Sequence, residues 1–110
     1  MAPRRIANTP SPPYVAVIFT SQRTTVDQGF LKLASEIAEL AAKQPGYLGM
    51  ESARGPDGLG ITTSYWKDHA SARAWKAVSE HHTAQRLARE KWFMAYKVRV
   101  CIVERDYGFN

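Results

Sequence analysis

The sequence predicts an α+β domain, a four-stranded antiparallel sheet with two helices on one face. Three observations support this fold class: the order of the local patterns, the helical spacing of apolar residues in two segments, and the alternation of a long C-terminal run. The order is β-α-β-β-α-β, which is typical of the ferredoxin-like arrangement. Two right-handed crossovers in that order place the first and fourth strands in contact.

The chain begins with a proline-rich segment, residues 1–13, which predicts a flexible arm. A single domain is expected over residues 14–110. Its first element is the run YVAVIFTS, residues 14–21, which is apolar and rich in β-branched residues and therefore predicts a central strand.

Apolar residues recur at helical spacing from Phe30 to Ala41, which predicts a one-sided helix. Thr25 and Gln28 are spaced as in a capping box and are expected to begin that helix. The tripeptide QPG, residues 44–46, should end it, because proline cannot continue a helix.

Two β-rich runs follow, YLGMESA at residues 47–53 and LGITTSYW at residues 59–66, and the turn formers between them predict a hairpin. Asp68 is expected to cap the second helical region. The last run, Tyr96 to Tyr107, alternates and predicts the fourth strand. Because both helices take one face of the sheet, a second subunit is expected to cover the other, with Val100 and Ile102 of the long strand in the interface.

Composition narrows the classes of function. The chain has 110 residues, 45% of them hydrophobic, which fits a globular domain of modest size. The net charge is +5, but the basic residues are scattered and no nucleic-acid-binding motif is present, so neither nucleic acid nor membrane is expected as a partner. Without a secretory signal, a cytoplasmic location is expected. Cys101, the only cysteine, is expected to be a buried strand thiol.

Four segments together resemble the antibiotic biosynthesis monooxygenase (ABM) superfamily of dimeric α+β barrels: QPGYLGMES, SYWKDHASARAWK, HHTAQ and KWFMAYKVRVCIVERDY. The resemblance runs from about Tyr14 to Phe109. It implies a homodimer in which the two sheets form a shared barrel, with a pocket in each protomer between helices and sheet. Members of the superfamily differ in reaction: some oxidise aromatic substrates with O2 and no cofactor, others degrade haem, and others act on small signalling molecules.

Haem and metal binding are not expected. The haem-degrading branch places the iron-binding histidine about ten residues after a pocket tryptophan; here Trp75 is followed at that distance by Gln85 and Arg86, neither of which suits haem iron. His81 and His82 are consecutive, so on a helix they point about 100° apart and cannot easily share one ion. No metal and no organic cofactor are therefore predicted.

The remaining hypothesis is cofactor-free chemistry with His81 as the general base. In related branches a histidine after S-E or T-E points into the pocket, and SEHH places His81 there. Helical phase also favours it, because His81 shares a side with the small residues Ala84 and Ala88, whereas His82 shares one with basic residues. Arg86 is predicted to stabilise the developing anion and Gln85 to orient it.

Aromatic side chains provide flat surfaces for a small aromatic ligand. The predicted substrate-binding residues are Gln85 and the aromatic residues Tyr65, Trp66, Trp75, Trp92 and Tyr96. Each aromatic is nevertheless expected more often as a core residue than as a ligand contact. The sequence thus favours a cofactor-independent monooxygenase for an aromatic or quinol-type substrate, with a non-catalytic binding or structural dimer of the same fold as the alternative.

Overall fold

The protein folds as a four-stranded antiparallel sheet with its main helices on one face, which confirms the predicted fold class. The computed structural model describes residues 6–85 and 89–109, with the backbone alone for residues 84, 85, 89 and 90. In chain order the elements are β1 (Tyr14–Arg23), α1 (Phe30–Ala42), β2 (Tyr47–Arg54), β3 (Leu59–Trp66), α2 (His69–Gln85), α3 (Arg89–Trp92) and β4 (Phe93–Val103).

The strand order across the sheet is β2-β3-β1-β4, and β1 pairs antiparallel with both β3 and β4. The predicted contact between the first and fourth strands is therefore confirmed. Residues paired directly across antiparallel strands point to the same face of a sheet, so the register assigns each side chain to a face.

The hydrophobic core lies between the two main helices and the sheet, on the face here called the helix side. Its buried residues are Val15, Ala41, Trp66, Ala72 and Trp75. α1 packs against β2, and α2 packs against β1 and β3. β4 lies at the edge of the sheet. Its Cys101 pairs with Ala16 and therefore points to the face away from the helices, where it is exposed and not buried as predicted.

The helix starts differ from one another in how they are capped. Asp68 caps α2 as predicted, since its Oδ1 accepts hydrogen bonds from the backbone N–H and the hydroxyl of Ser71, both at 2.8 Å. The capping box predicted at Thr25 and Gln28 is wrong: α1 begins after Gly29, whose φ of 84° favours glycine, and no side chain caps it. Of the described helices, none is long and apolar enough to cross a membrane.

The N-terminal segment, residues 6–13, lies against the face opposite the helices, here called the second face. We call this segment the strap. The Ala7 N–H donates to Glu51 Oε2 at 2.9 Å, and Tyr65 Oη donates to the other carboxylate oxygen at 2.6 Å. Gly49 makes room for the strap, because a Cβ there would come within 2.8 Å of the Ala7 Cβ. Within the arm predicted to be flexible, residues 6–13 thus contact the sheet.

A second set of hydrogen bonds joins the strap to the C-terminal tail. Tyr14 Oη donates to Asp106 Oδ2 at 2.5 Å and accepts from Thr9 Oγ1 at 2.9 Å. Burial and the neighbouring carboxylates raise the pKa of both Tyr14 and Tyr65 above the ordinary value of 10.0.

These tyrosines make the fold sensitive to alkaline pH. Their pKa values are higher in the folded than in the unfolded chain, so the unfolded chain loses the phenolic protons first as pH rises above about 10. We expect the contribution of these tyrosines to the free energy of unfolding to be fully present below that pH and to decrease above it. Tyr65→Phe should reduce this alkaline loss, while Tyr107→Phe, at an exposed position, should not. Urea unfolding at several pH values measures both, and equal pH slopes for wild type and Tyr65→Phe would contradict the assignment.

Candidate functional site

An open apolar strip on β4 is the first component of the candidate site. We define the β4 strip as Tyr96, Val98, Val100 and Ile102. Val100 pairs with Val17 and Ile102 pairs with Val15, so the strip shares the helix side with the core. Its residues are nevertheless between 42% and 56% exposed. The strip is therefore an apolar surface that lies beside the helices without being covered by them.

One end of the β4 strip is built from stacked aromatic rings. The ring of Tyr96 lies 5.4 Å from that of Phe19 at an interplanar angle of 28°, and Phe93 meets Phe19 edge-on at 5.6 Å. Phe30, at the start of α1, meets Phe93 edge-on at 5.8 Å. Offset and edge-to-face contacts of this kind hold the rings in fixed orientations. Tyr96 thus presents a fixed, partly exposed ring to any flat ligand on the strip.

A histidine–carboxylate pair between α1 and α2 is the second component. His82 Nε2 lies 3.6 Å from Glu36 Oε2, and only about a quarter of each side chain is exposed, 24% and 27% respectively. His82 Nε2 and the other carboxylate oxygen, Glu36 Oε1, are both shielded from solvent. A partly buried imidazole beside a carboxylate has the composition of a general base with its orienting group.

The predicted phase of the second helix is wrong, because His81 is exposed and His82 points inward. The inward side of α2 is set by Ala72 and Trp75, which are buried in the core. His82 comes seven residues after Trp75, two helical turns along the same side. A phase taken from the small residues near the end of the helix therefore selects the wrong histidine. The catalytic role assigned to His81 remains a prediction, and the exposure of its side chain gives it no support.

A cavity of about 300 Å³ lies next to the pair, at the start of α1. Its lining residues are Gln28, Gly29, Lys32, Glu36, Lys91 and Trp92. Trp92 is 4% exposed, and its Nε1 donates to the Gln28 carbonyl at 2.9 Å. Glu36 therefore faces both this cavity and His82.

The other predicted substrate-binding residues are not brought together. Trp66 and Trp75 are buried in the core, with rings stacked 5.6 Å apart, and Trp66 Nε1 donates to Ser64 Oγ at 2.9 Å. Tyr65 points to the second face, where it bonds Glu51. The side chain of Gln85 and the whole of Arg86 lie outside the described residues. Of the predicted set, Tyr96 and Trp92 are the two that line an open surface or a cavity.

Sequence reasoning missed Glu36, although a signal was present. Glu36 lies three residues after Leu33 and four before Leu40, so it falls within the apolar stripe of α1. A carboxylate on the inward side of an amphipathic helix needs a partner, and His82 is one. Among the described residues, no three histidine, cysteine or acidic side chains converge as metal ligands would.

The fold and site define a class of protein: a small ferredoxin-like α+β domain with an open apolar surface beside its helices. The chain belongs to the antibiotic biosynthesis monooxygenase family, whose model matches residues 13–87. It is 44% identical over 105 residues to the uncharacterized protein YqjZ of Bacillus subtilis strain 168, across 96% of this chain and 92% of that protein.

Solved structures show the same fold at low sequence identity. One is SnoaB, a cofactor-independent oxygenase from Streptomyces nogalater, a mutant of which has a TM-score of 0.69 and 18% identity over 84% of this chain and 95% of that one. Another is PA3566 from Pseudomonas aeruginosa, with a TM-score of 0.67 and 13% identity over 88% of this chain and 98% of that one. At these identities the likeness establishes the fold alone.

Proposed function

We propose that the protein is a cofactor-independent monooxygenase that oxidises an aromatic or quinol-type small molecule with O2. The observation that carries this proposal is the inward-facing His82–Glu36 pair on the same side of the sheet as the exposed β4 strip. The family and the description of SnoaB as a cofactor-independent oxygenase support the reaction class.

In this proposal the substrate lies flat on the β4 strip against Tyr96. The valines and isoleucine of the strip exclude water from one face of the ligand, and the fixed aromatic rings orient it. A dry, apolar wall also favours the delocalised anion of a phenol or enol over small hydrated anions.

The proposed chemistry needs one base and no external reductant. His82 takes a proton from an activated carbon next to the phenol or enol, and the resulting carbanion gives one electron to O2. The substrate radical and superoxide combine to form a carbon–oxygen bond, and the peroxide takes a proton from the imidazolium. Loss of water, with the second hydrogen of that carbon, breaks the O–O bond and leaves a ketone. One oxygen atom of O2 enters the product and the other becomes water.

The roles assigned from sequence to Arg86 and Gln85 remain part of the proposal. A guanidinium near the base would stabilise the substrate anion, and an amide would orient it. Both residues follow shortly after His82 in the sequence.

We propose further that the working form is a homodimer formed through the second face. The strap covers the half of that face around Tyr14 and Glu51, which leaves an open half around Ile18. Leu59 and Ile61 lie in this open half and are each 48% exposed. A second copy of the chain, placed sheet to sheet, would bury them and form the shared barrel.

A non-catalytic ligand-binding dimer is the second candidate. The observation that favours it is the position of the His82–Glu36 pair between two helices, where the same two side chains could serve as a structural tie. In that case the protein would bind a flat aromatic molecule without consuming O2.

An oxygen-electrode screen with anthrone-like and quinol substrates tests the proposed function. We expect at least one substrate to cause O2 uptake that depends on protein concentration. With ¹⁸O-labelled O2, mass spectrometry should find the label in the product. Saturable binding of these compounds, measured by tryptophan fluorescence, without O2 uptake above the protein-free rate would support the binding dimer instead.

A further inference from the structure

We infer that Glu36 is a positioning residue that holds the proton of neutral His82 on Nε2 and so leaves Nδ1 as the proton-accepting nitrogen. This inference rests on the proposed function for its catalytic meaning, but the protonated nitrogen is a property of the protein alone. The proposed function gives His82 the role of base, and the position of the proton then decides that Nδ1 is the nitrogen that would face the substrate.

The geometry distinguishes the two ring nitrogens. The nitrogen near the carboxylate is Nε2, at 3.6 Å from Glu36 Oε2, and it is shielded from solvent. A neutral imidazole carries one N–H and one lone pair, and a carboxylate is a hydrogen-bond acceptor only. The negative charge therefore favours the form with the proton on Nε2, and a small approach of the two side chains would make the contact a hydrogen bond.

The surroundings reinforce the assignment. Glu36 is held on α1 within an apolar stripe and has about a quarter of its side chain exposed, so its charge is only partly screened. Among the described residues, Lys32 and Lys91 line the cavity that adjoins the carboxylate. On α2, the nearby acidic residue Glu80 pairs with Lys76 at 3.0 Å. Glu36 is thus the carboxylate that His82 meets across the helix–helix contact.

The chemical consequence concerns orientation as well as protonation. A base whose second nitrogen is held by a carboxylate keeps one tautomer and one ring orientation through the reaction, and the imidazolium that forms is stabilised by the same charge. Glu36→Gln would keep the size of the side chain but could present an N–H donor to Nε2. That change favours the opposite tautomer, in which Nδ1 carries the proton and cannot accept another.

The test is ¹⁵N NMR of the histidine rings at a pH where they are neutral, with His82 assigned by comparison with His82→Gln. In the wild-type protein we expect the Nε2–H form of His82 to predominate. In Glu36→Gln the population should shift toward the Nδ1–H form, and Glu39→Gln, an exposed acid on the same helix, should leave it unchanged. A wild-type protein with the proton on Nδ1, or equal spectra for wild type and Glu36→Gln, would overturn the inference.

Kinetics separate this inference from the proposed function. With an active substrate, Glu36→Gln should lower kcat by on the order of 10²-fold with little change in KM, because it alters the base and not the apolar strip. If no substrate is turned over, the proposed function fails while the NMR result still decides the tautomer. If turnover requires His82 but the proton lies on Nδ1, the inference fails alone.

Discussion

Replacing His82 with alanine is expected to lower the turnover of an active substrate by roughly 10²-fold or more, the scale of losing a general base. The physical reason is that His82 points inward and pairs with Glu36, whereas His81 is exposed. His81→Ala is the matched control, because it removes the same imidazole one position earlier. Its turnover should stay within about twofold of wild type.

Steady-state O2 uptake by the two variants, with circular dichroism to confirm folding, measures this difference. A strong loss in His81→Ala with a normal His82→Ala would return the catalytic role to the residue that the sequence indicates. Equal losses in the two variants would indicate that the histidines stabilise the structure of α2 and that neither acts as a base.

Replacing Ile61 with aspartate is expected to convert the proposed dimer into monomers at micromolar concentration. Ile61 is 48% exposed on the open half of the second face, so in the monomer the new carboxylate stays solvated and the fold should persist. In the proposed dimer the same carboxylate would be buried between two sheets without a partner, which is costly. Light scattering coupled to gel filtration measures the molar mass in solution and so distinguishes dimer from monomer.

Val100→Asp is the informative comparison for the interface. Alternation along the last strand suggests that Val100 and Ile102 face a partner, but the register assigns them to the helix side. We therefore expect Val100→Asp to remain dimeric and to lose ligand binding. If Val100→Asp dissociates while Ile61→Asp does not, the interface lies on the helix side and includes the residues that the sequence alone suggests.

The strands and helices were predictable because their signals are local. Alternation and helical spacing located every β-strand and both main helices to within a few residues. The largest shift is in the last strand, predicted from Tyr96 to Tyr107 and observed as Phe93–Val103. It starts earlier because Phe93 pairs with Arg23 and packs on Phe19. Past its end, the Asp106 carboxylate bonds Tyr14.

The candidate site was less predictable because it depends on contacts between distant segments. The choice between His81 and His82 required the phase of α2, which is fixed by how Trp75 packs on the sheet. The exposure of the β4 strip depends on how far the helices extend across the sheet, and no periodicity in β4 itself encodes that distance. The strap is a further case, since Ala7 and Glu51 are 44 positions apart.

The hydrogen bonds around Tyr14 join the strap to the C-terminal tail at one corner of the molecule. Thr9 Oγ1 and Asp106 Oδ2 lie 3.5 Å apart although 97 positions separate them in sequence. The strap and the C-terminal tail are thus fastened together on the second face, away from His82 and the β4 strip, so a change that releases one of them removes a contact of the other.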